Sequence, residues 1–186
     1  MRKVVFSINS TINGFADHTT GIVDNELHDF FADYLNEIDV SLMGRKTYQL
    51  MESYWPVAHK DPECTESMKR FADKFNSLKK IIFSRTLNSV GWQNSVLAEK
   101  DLVSTVSELK KEKGKSISAG SISIAEQLVK HNLIDEFWFL VHPVIAGKGP
   151  RLFEKINKVN KLQLIDSFAF KSGVMVLHYS LVRPGM

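Results

Sequence analysis

The chain has 186 residues, of which 44% are hydrophobic and 24% charged, and it carries a net charge of +3 at pH 7. This length and apolar content predict a single domain over residues 1–186. The mild charge excludes a broad nucleic-acid-binding face, and the lone cysteine excludes an internal disulfide. No apolar stretch is long enough to span a bilayer. We therefore expect a cytoplasmic protein without nucleic-acid or membrane partners.

The predicted elements alternate between strands and helices up to about Asn132. Runs of β-branched and aromatic residues predict the strands, and apolar residues at helical spacing predict the helices. In chain order they are a strand (4–8), a helix (24–35), a strand (39–44), two helices (45–54 and 66–75), two strands (79–85 and 95–99), a helix (101–114), a strand (115–121) and a helix (122–132). A long strand (134–145), a glycine-rich loop (146–153) and a hairpin (161–182) follow.

This order predicts a three-layer α/β/α domain. Its sheet is expected to be mixed but mostly parallel, with helices on both faces and an antiparallel C-terminal hairpin. In such sheets, ligands bind at the carboxyl ends of the strands, next to the N-termini of the following helices. The strand-to-helix joins are therefore the places where a site is expected.

Three of these joins combine small residues with cations or hydroxyl groups. They are Gly44-Arg45-Lys46-Thr47, Ser84-Arg85 and Gly120-Ser121. Glycine backbones, helix N-termini, hydroxyl groups and guanidinium groups all bind anions. Each join alone is a weak signal that an ordinary turn also explains, but three in one sheet favour a ligand with several phosphates. The usual GxGxxG dinucleotide fingerprint is absent from the sequence.

Three longer segments carry a family resemblance: "LMGRKTYQLM", "KKIIFSRTL" and "GSISIAEQLVKHNLIDEFWFLVHPVIAGKGPRLF". Together they resemble the dihydrofolate-reductase-like superfamily, and most closely the branch that contains the reductase domain of bacterial riboflavin biosynthesis. The resemblance implies the dihydrofolate-reductase-like fold and an NADPH site at the carboxyl ends of the strands. It implies that Gly44 to Thr47 hold cofactor phosphates, that Ser84 and Arg85 meet the 2′-phosphate, and that Gly120 and Ser121 meet the pyrophosphate.

The first loop departs from the family pattern. The family usually has Ser-Leu-Asp-Gly where this chain has Thr11-Ile12-Asn13-Gly14. Asn13 can hydrogen-bond a substrate, but it cannot donate a proton as an acid would. Relatives also usually have two glycines where this chain has Gly120-Ser121.

A second catalytic candidate lies on the first helix. In dihydrofolate reductases the substrate-facing acid on this helix is followed by Leu and, three positions further on, by Phe. Glu26, followed by Leu27 and Phe30, fits that arrangement and is the expected proton donor. The alternative role is a first-turn carboxylate that stabilises the helix dipole.

The expected function is that of an NADPH-dependent reductase acting on a small heterocyclic or pyrimidine/pterin-like substrate, of the 5-amino-6-ribosylamino-uracil reductase type. Two alternatives stay open: dihydrofolate reductase itself, and a catalytically silent NADPH-binding protein, which Asn13 would favour. The six histidines show no metal-ligand spacing, and His28 and His142 are predicted to pack or hydrogen-bond. Because relatives pair through edge strands, we expect a homodimer.

Overall fold

The predicted strands join into one eight-stranded sheet in the computed structural model, which describes residues 1–183. The strands are β1 (Val4–Thr11), β2 (Ile38–Gly44), β3 (Lys79–Phe83), β4 (Ser95–Leu97), β5 (Ser116–Ala119), β6 (Glu136–His142), β7 (Leu162–Ala169) and β8 (Met175–Leu181). Their order across the sheet is β4-β3-β2-β5-β1-β6-β8-β7. Strands β1 to β6 are parallel, and β8 runs antiparallel to both β6 and β7. The predicted mixed sheet with a C-terminal antiparallel hairpin is confirmed.

Within residues 1–183, five α-helices connect the strands. They are α1 (Asn25–Tyr34), α2 (Arg45–Glu52), α3 (Glu66–Ser77), α4 (Leu102–Leu109) and α5 (Ile122–Lys130), with short 3-10 segments at Leu35–Glu37 and Trp55–Lys60. None of the helices in the described part of the chain is long and apolar enough to cross a membrane.

The helices cover both faces of the sheet because side chains alternate along each strand. On one face, Phe6, Leu42 and Ile117 pack with α4 and α5. On the other face, Met43 and Ile82 pack with α1, α2 and α3. The three predicted layers are therefore present, and the carboxyl ends of the parallel strands share one edge.

Among the element ends that differ from the sequence prediction, those of β1 and α4 have tertiary reasons. Strand β1 continues to Thr11 rather than ending at residue 8, because it pairs with β6 from Val5 to Thr11. Helix α4 ends at Leu109 rather than at Gly114. The carbonyl of Lys110 accepts a hydrogen bond of 3.1 Å from the Arg2 backbone N–H, which ties the end of α4 to the start of the sheet.

Candidate functional site

The three joins lie side by side at the carboxyl edge of the sheet. They follow β3, β2 and β5, which are consecutive in the strand order. Those after β2 and β5 lead into helices α2 and α5, as expected, whereas the Ser84-Arg85 join leads from β3 into strand β4. Gly44 is the register partner of Phe83, so Ser84 begins directly beside the start of α2. Because neighbouring strands are about 4.8 Å apart, the three joins span about 10 Å along this edge.

A direct hydrogen bond braces the first join against the third. The backbone N–H of Gly44 donates to Oγ of Ser121 at 3.0 Å, and Ser121 is only 3% exposed. A Cβ atom on residue 44 would lie 3.3 Å from Oγ of Ser123, which would have to shift by a few tenths of an ångström. Glycine at this position therefore permits the close approach of the two joins.

The helices that start at these two joins lack side-chain caps. Helices α1, α3 and α4 are capped by Asp24, Thr65 and Asp101, whose oxygens accept backbone N–H groups of the first turn. Helices α2 and α5 begin at Gly44 and Ser121 without such a bond. Their first N–H groups are thus left for solvent or a ligand, and a helix N-terminus favours an anion.

Positive charge surrounds these open helix starts. Arg45, Lys46 and Arg85 are exposed, and none of them forms an ion pair with a residue in 1–183. The Arg45 guanidinium donates a hydrogen bond to Gln49 at 3.2 Å. Ser84 Oγ accepts the N–H groups of the two residues after Arg85, at 3.1 and 3.0 Å, which folds this join into a tight turn.

A notch lies between β5 and β1 next to the third join. Strand β5 ends at Ala119, the register partner of Phe6, while β1 continues to Thr11 with a partner only on its β6 side. A Cβ atom on Gly120 would have nothing within 4 Å. The edge therefore offers free helix N–H groups, three exposed cations and open space beside Gly120, which suits a ligand with several phosphates.

Asn13 lies in the loop between β1 and α1, where both ends of its carboxamide bond to the protein. Its Nδ2 donates to the carbonyl of Ala146 at 2.7 Å, and its Oδ1 accepts the N–H of Ala146 at 3.1 Å and the hydroxyl of Thr11 at 2.8 Å. These bonds lock the loop 12–24 to the loop that follows β6. A contact between Asn13 and a substrate stays a prediction.

Glu26 is half-buried in the first turn of α1 and points towards the β7–β8 hairpin. Its Oε2 accepts the backbone N–H of Lys171 at 2.9 Å. One turn later, Phe30 packs its ring against Trp138, Phe168 and Phe170. The carboxylate thus lies at the carboxyl edge of the sheet, on the α1 side, and no hydrogen bond links it to the three joins. Its role as proton donor stays a prediction.

His28 and His142 are both buried and hydrogen-bonded, as predicted. His28 Nδ1 bonds to the Asp24 carbonyl at 2.8 Å, and its ring packs edge-on against Trp55. His142, at the end of β6, is 1% exposed and contacts both Ile22 and Asn9. Burial lowers the pKa of both imidazoles. Within residues 1–183, no three His, Cys, Asp or Glu side chains come together as metal ligands.

Asn9 is a residue of this edge that sequence reasoning missed. It is exposed, although β1 lies between two other strands. The available signal was its place in the alternation "VVFSINS", where Ser7 and Asn9 interrupt the apolar pattern on one face of a central strand.

Comparisons with known proteins agree with this architecture. The family model described as the RibD C-terminal domain matches residues 2–176. The uncharacterized protein YyaP of Bacillus subtilis (strain 168) is 32% identical over 182 residues, covering 96% of this chain and 94% of YyaP. The uncharacterized protein YwjB of the same organism is 26% identical over 186 residues, covering 96% of this chain and 97% of YwjB.

Solved structures share the fold at low sequence identity. A putative riboflavin biosynthesis protein from Shewanella sp. PV-4 has a TM-score of 0.73 at 19% identity and covers 98% of this chain and 100% of its own. A pyrimidine reductase-like protein from Corynebacterium diphtheriae has a TM-score of 0.71 at 16% identity and covers 98% of this chain and 92% of its own. The predicted dihydrofolate-reductase-like fold and its riboflavin-type branch are thus confirmed.

Proposed function

Because the chain belongs to the RibD C-terminal domain family, whose members are reductase-like, we propose that it is an NADPH-dependent reductase of a small pyrimidine- or pterin-like heterocycle. The observation that carries the proposal is the pair of uncapped helix N-termini braced through Gly44 and Ser121. A solved structure from Thermotoga maritima, described as a diaminohydroxyphosphoribosylaminopyrimidine deaminase/5-amino-6-(5-phosphoribosylamino)uracil reductase, shares the fold with a TM-score of 0.66 at 17% identity and covers 97% of this chain and 57% of its own.

In this proposal, two of the joins hold the phosphates of the cofactor and the third recognises its 2′-phosphate. The residues from Gly44 to Thr47 and the Gly120-Ser121 pair hold its phosphates with backbone N–H and hydroxyl groups. Arg85 carries the only cation of its join and pairs with the 2′-phosphate that distinguishes NADPH from NADH. The notch beside Gly120 accepts the nicotinamide.

NADPH, when bound, supplies a hydride, so the protein has to position the acceptor and deliver a proton. Glu26 is the proposed proton donor, because it is the carboxylate at the start of α1 on the open edge. Its Oε2 is held by the Lys171 N–H, which leaves the second oxygen free to exchange a proton. Asn13 is proposed to act on the substrate through the loop 12–24, which its hydrogen bonds hold in place.

The cofactor assignment is tested by fluorescence titration of NADPH and NADH. The wild type is expected to bind NADPH at micromolar concentration and NADH much more weakly. Arg85→Ala should weaken NADPH binding about 10- to 100-fold and leave NADH binding unchanged, because it removes a charge-assisted contact to phosphate. Lys113→Ala is the matched control, since it removes one exposed positive charge just before β5, at the other end of that strand. Equal losses in both variants would contradict the assignment.

Turnover is tested by following NADPH oxidation with a panel of pyrimidines and pteridines, including dihydrofolate. Oxidation with a ribosylated aminopyrimidine supports the proposal, whereas oxidation with dihydrofolate alone would indicate a dihydrofolate reductase. Tight NADPH binding without turnover on the whole panel would indicate a silent binder. For an active enzyme, Glu26→Gln should lower kcat by about 100-fold or more and leave NADPH affinity unchanged.

A further inference from the structure

Asn9 is an exposed polar side chain on a central strand. Strand β1 has β5 on one side and β6 on the other, and its neighbours Phe6 and Ile8 face the core shared with α4 and α5. Asn9 faces the opposite, α1 side of the sheet, beyond the point where β5 ends. A central strand is normally covered on both faces. The exposure of Asn9 therefore places it on the floor of the open edge, beside the notch.

His142 fixes which way the Asn9 amide points. The backbone N–H of Ile22 can only donate, and it lies 2.9 Å from Nδ1 of His142. Nδ1 is therefore the acceptor, and the ring proton sits on Nε2. Nε2 lies 3.1 Å from Oδ1 of Asn9 and donates a hydrogen bond to it. The NH2 group of Asn9 is consequently turned away from His142, and it donates to no atom of residues 1–183.

We infer that Asn9 recognises the substrate by donating its NH2 hydrogens to a ring carbonyl, and that His142 is the positioning residue that holds this group in place. The inference rests on the proposed function, since it concerns the heterocycle bound at that edge. A group that offers only donors selects an oxo group or a ring nitrogen and disfavours an amino group at the same position. A ring carbonyl is thus expected in the substrate class.

The same imidazole also holds the loop 12–24. Its ring approaches Gly21 so closely that a Cβ there would lie 3.1 Å from it, and it accepts the Ile22 N–H. The negative charge of Asp24 raises the pKa of the His142 imidazole, which opposes the lowering of this pKa by burial. A second proton on Nδ1 would break the bond to Ile22 and leave the bond to Asn9. Acid should therefore loosen the loop while the Asn9 amide stays in place.

The recognition step is tested with Asn9→Asp, which keeps the size of the side chain and its acceptor for His142 but removes both donors. The probe is 5,6-diaminouracil, a free pyrimidine with two ring carbonyls, titrated by calorimetry in the presence of saturating NADPH. The variant should bind the probe at least about tenfold more weakly than the wild type, with unchanged NADPH affinity. Gln127→Glu, the same amide-to-carboxylate change on the exposed side of α5, should match the wild type. Equal probe affinity in wild type and Asn9→Asp, or no binding of the probe to the wild type, overturns the recognition.

The positioning role is tested by hydrogen exchange at the Ile22 amide, which needs neither cofactor nor substrate. The wild-type protection factor should be high near neutral pH and fall in acid. His142→Leu should lose the protection of the Ile22 amide and bind the probe about tenfold more weakly. His142→Gln introduces a neutral side chain with a donor and an acceptor. It should restore part of the protection and part of the probe affinity, and remove the pH dependence of the protection. Full protection and full probe affinity in both variants would overturn the role. Absence of NADPH binding would count against the proposed function, and the exchange result would still decide the role of His142.

Discussion

At the scale of single residues, two glycines at the open edge have opposite surroundings. A Cβ on Gly44 would press against Oγ of Ser123 at 3.3 Å, whereas a Cβ on Gly120 would meet nothing within 4 Å. Gly120→Ala should therefore keep the melting temperature within about 2 °C of the wild type but weaken NADPH binding, because the methyl group enters the space proposed for the cofactor. Gly44→Ala should lower both the melting temperature and the affinity for NADPH. Thermal denaturation and fluorescence titration measure the pair. Wild-type affinity in Gly120→Ala would mean that the cofactor does not approach this backbone.

Lys80 is fully buried at the other end of the sheet, and no carboxylate in residues 1–183 pairs with it. Its Nζ donates to the carbonyls of Asn76, Leu78 and Gln93 at 3.2, 2.8 and 3.2 Å, and lies 4.6 Å from the centre of a Trp92 ring. Burial lowers the pKa of Lys80 from 10.5 to about 8.

This lowered pKa predicts a pH dependence of stability. Between the two values the unfolded chain holds a proton that the folded chain has released, so the free energy of unfolding should rise with pH. Below about pH 8 both states are protonated and the contribution is constant. Urea denaturation from about pH 8 to about pH 9.5 should show the rise in the wild type, and Lys80→Met should show a flatter dependence. Equal slopes in the two proteins would contradict the assignment to Lys80.

At the scale of elements, the side-chain caps of α1 and α4 should contribute equally to stability but differently to activity. Asp24 Oδ1 accepts the Leu27 N–H at 2.8 Å, and Asp101 Oδ1 accepts the Ser104 N–H at 3.0 Å. Replacing either aspartate by alanine should lower the free energy of unfolding by about 1 kcal/mol. Only Asp24→Ala should also lower kcat, because α1 carries Glu26 and ends the loop 12–24. Urea denaturation and NADPH oxidation are the measurements, and equal kcat losses would argue against a role for α1 in catalysis.

The sequence was sufficient to predict the elements and the three joins, because these depend on local patterns. Alternating and helical periodicities gave the sheet and its helices, and residue types at strand ends gave the joins. Contacts between segments that are far apart in the chain could not be predicted from these local patterns. Gly44 and Ser121 are 77 positions apart, and His142 and Asn9 are 133 apart. The notch likewise depends on where β5 stops relative to β1, and the bond that ties Asn13 to Ala146 depends on how two loops meet.

At the scale of the whole molecule, the sheet has two very different edges. Strand β4 has three residues, whereas β7 has eight and is exposed along almost its whole length. Leu164 and Ile165 on β7 are each 51% exposed. A long apolar edge strand with free backbone groups is a ready pairing surface. We propose that two copies of the chain form a homodimer through β7.

The dimer is tested by light scattering after size-exclusion chromatography. The wild type is expected at about twice the chain mass of 21.1 kDa. Ile165→Lys places a charge in the middle of β7 and should yield the monomer, whereas Val96→Lys, at a 46% exposed position on the opposite edge strand, should stay dimeric. NADPH affinity should be the same in both variants, since β3, β2 and β5 carry the three joins within one subunit and lie on the far side of β1 from β7. A dimeric Ile165→Lys would place the interface elsewhere, and a loss of NADPH binding with the dimer would mean that the partner subunit completes the site.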